Sequence, residues 1–381
     1  MKRVIIIGCG FAGAGAVRKF SRYRQKAEVI VFDRKRHFDF LPMLPDVIGR
    51  KINPEYLSCS IEKLSSKVSF NFINAEVTSL NIEKNRLISS AGDFDYDYLI
   101  IATGSQTNFY GNKEIEKYAY KLDNVEDTLK ISAALKKDVF DNYVICGGGY
   151  TGVEAAANLR LYLNKNRKTG RIIIVERASS ILGPLPQWMK AYTFNNLRKL
   201  EIEILTGVTV EKCEEKEIYM SGSNVFNNAM LIWCAGVKVP DFIQSIEAEK
   251  NPQGRLKTDE YLRVRNNVFA AGDAAFFPYK NSFLRMAVQF SIAQAQTAAC
   301  NVLNDMEGRS LRKYKPVDLG YIIPMANNKS CGRVVGINFK GIPATFLHYF
   351  MCIYRSYGLK NKMGILRNLI KHQTVNLKTD Y

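Results

Sequence analysis

The sequence predicts an α/β protein that contains the same strand–turn–helix unit twice. The first copy, VIIIGCGFAGAGA, begins at Val4, and the second, VICGGGYTGVEAA, begins at Val144 with its glycines 139 residues later. Each copy is followed by another apolar strand that ends in an acid, Asp33 or Glu176. Strands that alternate with helical stretches are typical of parallel sheets. We therefore expect two Rossmann-like units, each suited to a dinucleotide.

The spacing of the glycines in each copy has a chemical reason. Gly8 permits a tight turn, Gly10 lets the backbone approach a pyrophosphate, and Gly13 lets the helix pack closely on the strand. The helix N-terminus then attracts phosphate through its N–H groups. Asp33, twenty residues after Gly13, is placed to accept hydrogen bonds from a ribose. The second copy repeats this arrangement with Gly147, Gly149, Gly152 and Glu176.

Two dinucleotide units in one chain predict two cofactors, a tightly held flavin and a diffusible nicotinamide that passes it a hydride. Glu176 favours NADH over NADPH, because a carboxylate repels a 2′-phosphate. Arg177 beside it weakens that inference.

Composition limits the functional classes. The 381 residues carry a net charge of +18, which favours a polyanionic partner, although a generally basic proteome would give the same balance. No nucleic-acid-binding signature accompanies the charge, so an anionic lipid surface is preferred. The eight cysteines form no CxxC pair and no metal-ligand spacing, which favours reduced cytosolic thiols and no metal site. No apolar run is long enough to span a membrane.

The C-terminal segment combines aromatic and basic residues. A helix over 344–358 would align Phe346, Leu347, Phe350, Met351, Tyr354 and Tyr357 on one face, with Gly358 ending it. A second segment sets Met363, Leu366, Leu369 and Ile370 against Lys360, Arg367 and Lys371. From Lys340 to Tyr381 there are seven Lys or Arg residues and one acid, Asp380. This pattern predicts a membrane-docking amphipathic region, and a helix packed inside the protein or in a dimer is the alternative.

Several motifs resemble those of the two-dinucleotide-binding-domain flavoproteins, and most of all the type II NADH dehydrogenases, which are non-pumping NADH:quinone oxidoreductases. The stretches HFDFLPMLPDVIGRKINPEYL (37–57), ATGSQTNFYG (102–111), CAGV (234–237) and AAGDAA (270–275) are similar to motifs of that family. The resemblance implies an FAD-binding domain in 1–110 and 253–330, an NADH-binding domain in 111–252, and a membrane-association region in 331–381. It also implies that Asp273 holds the ribityl–phosphate part of FAD.

The residues expected to bind the cofactors come from the glycine turns, the acids that follow them and the matching motifs. They are Gly8, Gly10, Phe11, Ala12, Gly13, Asp33, Arg34, Pro42, Val77, Ala102, Thr103, Gly104, Gly147, Gly149, Tyr150, Thr151, Gly152, Glu176, Ala235, Gly236, Gly272, Asp273 and Val288.

Three residues are expected to be catalytic. Glu154 matches an acid of the family near the second helix start, where it could orient nicotinamide or relay a proton. A first-turn acid that only complements the helix dipole is the alternative for Glu154. The stretch RMAVQFSIAQAQTAACNVL resembles a helix that carries two quinone-site glutamines four residues apart. Gln289 matches the first, whereas Ala293 occupies the second position and Gln294 follows it.

The resulting hypothesis is a monotopic FAD enzyme at the cytoplasmic face of the membrane that oxidises NADH and reduces a membrane quinone without pumping protons. A homodimer is left open. The alternatives are a sulfide:quinone oxidoreductase, an NADH oxidoreductase with a soluble acceptor, and an NADH-sensing binding protein. Disulfide reductases of this fold need a close cysteine pair, which is missing around Cys59, and for sulfide chemistry Cys331 has no clear partner.

Overall fold

The computed structural model describes residues 1–23, 27–280 and 282–376, with the side chains of 372–376 left out. The predicted contribution of Asp380 lies outside the described residues. The described chain forms these α-helices: α1 (Phe11–Phe20), α2 (Leu44–Gly49), α3 (Ile61–Val68), α4 (Lys113–Tyr118), α5 (Val125–Lys137), α6 (Tyr150–Lys165), α7 (Gln187–Lys199), α8 (Val288–Met306), α9 (Ile342–Arg355) and α10 (Leu359–Asn376).

The strands of the described chain are short, and most belong to small sheets rather than to the two larger, mainly parallel ones. They are β1 (Lys2–Ile7), β2 (Ala27–Asp33), β3 (His37–Asp39), β4 (Ser58–Ser60), β5 (Asn71–Asn74), β6 (Val77–Asn81), β7 (Arg86–Ser89), β8 (Gly92–Asp95), β9 (Tyr98–Ile101), β10 (Gln106–Thr107), β11 (Asn142–Cys146), β12 (Arg171–Glu176), β13 (Ile202–Thr206), β14 (Val210–Cys213), β15 (Ile218–Met220), β16 (Val225–Phe226), β17 (Ala229–Trp233), β18 (Val237–Lys238), β19 (Leu256–Lys257), β20 (Arg263–Arg265), β21 (Val268–Ala270), β22 (Ala275–Phe276), β23 (Pro278–Tyr279), β24 (Ser282–Phe283), β25 (Gly320–Ile323), β26 (Cys331–Val334) and β27 (Ile337–Lys340).

The chain divides into two compact units. Unit 1 comprises Met1–Phe38, Cys59–Gln106 and Val237–Leu319, and unit 2 comprises Asp39–Ser58, Thr107–Gly236 and Gly320–Tyr381. Residues 39–58, which the sequence analysis assigned to the stretch 1–110, belong to unit 2 by these contacts. The assignment of FAD and NADH to particular stretches of the chain stays a prediction.

Unit 1 is built on a six-stranded sheet of order β20-β21-β9-β1-β2-β5. Strand β1 lies parallel to β2 and β9, with Val4 opposite Val29 on one side and Tyr98 on the other. Apolar β-branched side chains fill both faces of such a strand because helices cover a parallel sheet. Helices α1 and α8 pack closely together, and Gly15 lies against the backbone of Ile292. As predicted, the strand before Gly272 returns to this sheet, where β21 pairs with β9.

Unit 2 contains a four-stranded parallel sheet of order β13-β12-β11-β17. Its central strand β11 pairs with β12 and β17, with Val144 opposite Ile173 and Leu231. Helix α6 packs on this sheet and on α2, and the antiparallel sheet β25-β26-β27 belongs to the same unit. The predicted α/β fold with two Rossmann-like sheets is thus confirmed.

The C-terminal segment of unit 2 forms two helices, α9 and α10. Gly358, whose φ is +80°, lies between them, in a backbone conformation that favours glycine. Exposed apolar side chains follow one another along both helices: Ile342, Phe346, Phe350, Tyr354, Leu359, Met363, Leu366 and Ile370. Tyr357 and Leu369 are buried instead of sharing this surface, because α9 ends at Arg355 and α10 turns Leu369 towards the protein. Within the described ranges, no helix is both long enough and apolar enough to cross a bilayer.

Candidate functional site

The first glycine turn of unit 1 joins β1 to α1. A Cβ on Gly8 would lie 2.4 Å from the carbonyl oxygen of Ala102, and one on Gly13 would lie 1.9 Å from that of Gly8. These two positions therefore exclude a side chain. A Cβ on Gly10, in contrast, would meet no described atom within 4 Å. The open space beside Gly10 lies at the N-terminus of α1, where a phosphate is stabilised by the helix dipole.

Asp33 ends β2 at the same turn. One carboxylate oxygen accepts the N–H of Cys9 at 2.7 Å and the other accepts the N–H of Lys35 at 2.8 Å. Burial raises the pKa of Asp33 above its ordinary value, and these two backbone donors act against that rise. The guanidinium of Arg34, the next residue, donates a hydrogen bond to Gln106 and forms an ion pair with Glu76. The structure thus places the predicted ribose-binding acid directly beside the glycine turn.

The turn Gly272–Asp273 is held by three side chains of unit 1. Gln294, which is buried, accepts the N–H of Gly272 at 2.8 Å through its amide oxygen. Ser105 donates to the Asp273 carboxylate at 2.7 Å. Arg255 is 2% exposed and donates to the carbonyl oxygens of Asp273 at 3.0 Å and Ala275 at 2.5 Å. Burial raises the pKa of Asp273. Gln294 therefore serves this turn, and its predicted contact with a quinone stays a prediction.

The residues of unit 1 fit a bound dinucleotide. The hydroxyl oxygen of Thr103 is buried and has no hydrogen-bond partner among the described residues, which leaves it available to a ligand. A Cβ on Gly8 would lie against the backbone of Ala102 and Thr103, and a Cβ on Gly272 would lie against the side chain of Ala12. The predicted residues Gly8–Gly13, Asp33, Ala102–Gly104 and Gly272–Asp273 therefore come together.

Four other residues were predicted to bind a cofactor, and the structure shows their packing or position within the protein. Phe11 packs edge-to-face on Phe38 with ring centroids 5.0 Å apart. Val77 is buried in the core of unit 1, and Val288 is the partly exposed first residue of α8. Pro42 belongs to unit 2, in the helical turn that precedes α2. A cofactor contact of these residues stays a prediction.

The second glycine turn, in unit 2, repeats the geometry of the first. A Cβ on Gly152 would lie 1.9 Å from the carbonyl oxygen of Gly147, whereas one on Gly149 would meet no described atom within 4 Å. Glu176 accepts the N–H groups of Gly148 and Ala178, each at 2.8 Å. Open space, a helix N-terminus and an acid recur here, so the same class of ligand fits.

The remaining predicted residues of this second turn lie around it within unit 2. Tyr150 packs edge-to-face on Tyr321, and Thr151 is exposed at the start of α6. A Cβ on Gly147 would lie 2.8 Å from the carbonyl oxygen of Cys234, the residue before Ala235 and Gly236. The second turn and the CAGV motif are therefore neighbours.

Glu154 lies in α6 of unit 2 at intermediate exposure, near a buried polar cluster. Burial first, and the neighbouring charge of Asp46 second, raise the pKa of Glu154 well above its ordinary value. Asp46, which is 3% exposed, accepts a hydrogen bond from the Tyr349 hydroxyl at 2.8 Å and lies 3.4 Å from the guanidinium of Arg50. Glu154 could be predicted from the sequence, whereas this cluster could not, because no local pattern connects its members.

Gln289 lies in the first turn of α8. Its amide nitrogen donates to Asp318 at 3.1 Å, and its amide oxygen accepts the N–H of Leu319 at 3.2 Å. Arg285 forms a two-pronged ion pair with the same Asp318. These contacts fix the orientation of Gln289 at the end of the 237–319 segment. Its predicted role at a quinone stays a prediction.

The cysteines of the described chain are all free thiols. Cys331 is buried, and its sulfur lies 3.5 Å from the hydroxyl of Thr193. Cys146 is buried in β11. In the part of the chain that the structure describes, no group of three His, Cys, Asp or Glu residues could hold a metal ion.

Comparison with known proteins places this geometry in a family. Residues 2–300 match the family described as pyridine nucleotide-disulphide oxidoreductase. The type II NADH:quinone oxidoreductase of Staphylococcus saprophyticus is 26% identical over 376 residues, which cover 91% of this chain and 93% of that protein. The type II NADH:quinone oxidoreductase of Staphylococcus haemolyticus is 25% identical over similar lengths.

Two solved structures share the fold. NDH2 from Plasmodium falciparum in complex with NADH has a TM-score of 0.83 at 20% identity, covering 98% of both chains. The sulfide:quinone oxidoreductase from Aquifex aeolicus has a TM-score of 0.78 at 18% identity, covering 96% of this chain and 92% of the other. The predicted resemblance to type II NADH dehydrogenases is confirmed, and the chain belongs to the pyridine nucleotide-disulphide oxidoreductase family.

Proposed function

We propose that the protein is a flavoenzyme that oxidises NADH and reduces a quinone by two electrons. The observation that carries the proposal is the duplicated site, two glycine turns that each combine open space, a helix N-terminus and a buried-strand acid. The relatives named type II NADH:quinone oxidoreductase match along nearly the whole chain, which supports the same chemistry.

The residues of unit 1 would hold FAD. The N-terminus of α1 and the space beside Gly10 take the pyrophosphate, Asp33 binds a ribose, and the Thr103 hydroxyl and the Asp273 turn bind further polar groups. FAD held there would supply a two-electron acceptor for the hydride of the nicotinamide. The protein itself needs no nucleophile for this reaction, only firm positioning of both ligands and the exclusion of water.

The residues of unit 2 would hold NADH. Glu176 accepts two backbone N–H groups and still has lone pairs for a ribose hydroxyl. A carboxylate held in this way disfavours a 2′-phosphate, so NADH is preferred over NADPH.

The acceptor is a membrane quinone, and the exposed apolar residues of α9 and α10 are the docking surface. Phe346 is 71% exposed, Tyr354 67% and Leu359 76%, which is a high apolar exposure for a row along two successive helices. Lys360, Arg367 and Lys371 are exposed on α10 and would face anionic headgroups. We place the protein peripherally on the cytoplasmic face, where NADH is available, and propose no nucleic-acid partner. A homodimer stays a prediction.

Steady-state turnover of the flavin-loaded protein tests the proposal. We expect NADH to support rapid reduction of a short-chain quinone, NADPH to support it much less, and sulfide to support none. Turnover with sulfide but not with NADH would favour the sulfide:quinone reaction of the Aquifex structural neighbour. NADH oxidation that proceeds only with a soluble acceptor would remove the quinone from the proposal.

A further inference from the structure

Helix α8 of unit 1 carries two glutamines on different faces. Gln289 lies in its first turn, and Gln294 follows five residues later. Five residues of an α-helix rotate a side chain by about 140°, whereas four rotate it by about 40°. Ala293, and not Gln294, therefore shares the face of Gln289. Ala293 is half-buried, whereas Gln294 is only 2% exposed.

The two glutamines have separate hydrogen-bond partners. Gln289 donates to Asp318 at 3.1 Å and accepts the N–H of Leu319 at 3.2 Å. The amide oxygen of Gln294 accepts the N–H of Gly272 at 2.8 Å. Gln289 is thus tied to the end of the 237–319 segment, and Gln294 is tied to the turn that follows β21.

Gly272 is packed tightly between α1 and α8. A Cβ on Gly272 would lie 3.1 Å from the Ala12 side chain and 3.2 Å from the Ser291 hydroxyl. Its φ of +72° is a backbone conformation that favours glycine. Because Gly272 is buried, its N–H needs an acceptor within the protein, and Gln294 supplies that acceptor. The conformation of the turn therefore depends on the Gln294 amide.

The residues after Gly272 are held by two other side chains. Arg255 donates to the carbonyl oxygens of Asp273 and Ala275. Ser105 donates to one oxygen of the Asp273 carboxylate at 2.7 Å. Together with the hydrogen bond to Gly272, these contacts fix the direction in which Asp273 presents its carboxylate.

We propose that Gln294 is a positioning residue for FAD rather than a contact of the quinone. By accepting the N–H of Gly272, its amide holds the turn that presents Asp273 to the cofactor. The inference rests on the proposed function, because it takes FAD to be the cofactor of unit 1. The face of α8 that carries Gln289 then offers a quinone one glutamine, followed by the methyl group of Ala293, which forms no hydrogen bond.

The affinity for FAD tests the proposal in the full-length, flavin-loaded protein. Serial dilution, with the fluorescence of released FAD as the signal, gives the dissociation constant. Gln294→Met keeps a side chain of similar length but removes the acceptor, so the N–H of Gly272 stays unpaired. We expect the dissociation constant for FAD to rise about tenfold. At saturating FAD, the KM for a short-chain quinone should stay within about twofold of that of the unaltered protein.

Two further variants separate the hydrogen bond from general packing. Gln294→Glu keeps an acceptor and should restore most of the FAD affinity, because a carboxyl group buried beside Asp273 is protonated and its carbonyl oxygen accepts the same N–H. The control is Gln296→Met, which makes the same change at an exposed position two residues further along α8. This variant should leave the dissociation constant for FAD unchanged.

Unaltered FAD affinity in Gln294→Met would overturn the inference. So would equal weakening in Gln296→Met, or a Gln294→Glu variant that binds FAD no better than Gln294→Met. A raised KM for quinone in FAD-saturated Gln294→Met would assign this glutamine to the quinone instead. Failure of the unaltered protein to bind FAD, or to reduce any quinone, would contradict the proposed function.

Discussion

The two glycine turns have the same backbone arrangement. They differ at one position in the helix that follows each turn. Gly15 of α1 and Glu154 of α6 each lie two residues after the third glycine of their turn. A Cβ on Gly15 would lie 3.3 Å from the Ile292 carbonyl oxygen, so this position serves the packing of α1 on α8. Glu154 instead has a pKa that is raised first by burial and second by the charge of Asp46. The residues common to both turns are the ones proposed to bind ligands, and the residue that differs is proposed to carry chemistry.

The largest effect is expected from adding a methyl group at the third glycine. Gly13→Ala and Gly152→Ala each place a Cβ where a backbone oxygen lies 1.9 Å away, so the helix must move off its strand at a cost above about 3 kcal/mol. We expect Gly13→Ala to lose bound flavin. Gly152→Ala should retain flavin and lose reduction by NADH. Flavin absorbance after gel filtration and anaerobic NADH titration measure both outcomes.

Gly10→Ala and Gly149→Ala are the matched controls, because neither Cβ would meet a described atom. The free energy of unfolding without cofactors should stay within about 0.5 kcal/mol of the unaltered protein. Ligand binding should still weaken, flavin in the first variant and NADH in the second. Loss of flavin from both Gly13→Ala and Gly152→Ala would contradict separate sites.

The next largest effect is expected at Glu154, and it distinguishes this residue from Gly15, which holds the equivalent position in the first copy. Glu154→Gln should slow the quinone half-reaction by about 10²-fold, because general acid catalysis contributes at least that much. The NADH half-reaction should remain. Gly15→Ala should alter only the free energy of unfolding, by about 1 kcal/mol or less, since a higher helix propensity offsets the tight contact with Ile292. Rapid-mixing kinetics and urea unfolding provide the two readouts.

A smaller effect is expected at the turn that would hold the flavin phosphate. Arg255→Met removes two hydrogen bonds to the carbonyls of the Gly272–Ala275 turn and should weaken flavin binding by about tenfold. Arg160→Met is the matched control, because Arg160 also donates to two carbonyls, those of Leu200 and Glu201, in unit 2. Equal weakening in both variants would indicate general destabilisation.

An effect of similar size is expected at the docking surface. Phe350→Ser removes a side chain that is 54% exposed on α9 and should weaken binding to anionic vesicles by about 1.5 kcal/mol, roughly tenfold. Leu129→Ser changes a residue of α5 that is 48% exposed and should have no effect on vesicle binding. Sedimentation with vesicles measures both, and equal losses would contradict a docking surface confined to α9 and α10.

The parts of the protein that local spacing encodes could be predicted from the sequence. The three glycines and the following acid of each copy are fixed by the geometry of one turn, so Gly8, Asp33, Gly147 and Glu176 could be predicted. Contacts between distant segments could not. Asp46 and Tyr349 are 303 positions apart, and no periodicity connects them.

Two other contacts could not be predicted, for the same physical reason. Arg255 looks like an ordinary surface arginine in the sequence, and only the folded turn shows why it is buried. Gln294 was predicted from the resemblance of its helix to one that carries two quinone-site glutamines, and its hydrogen bond with Gly272 is a contact that this spacing does not encode. In both cases, tertiary packing decided the partner.

The most direct test of the proposed function is sequential anaerobic stopped-flow on the full-length, flavin-loaded protein, first with NADH and then with a short-chain quinone. We expect rapid loss of flavin absorbance on mixing with NADH and rapid recovery on mixing with quinone. Flavin that NADH leaves oxidised, or reduced flavin that quinone does not reoxidise, would contradict it.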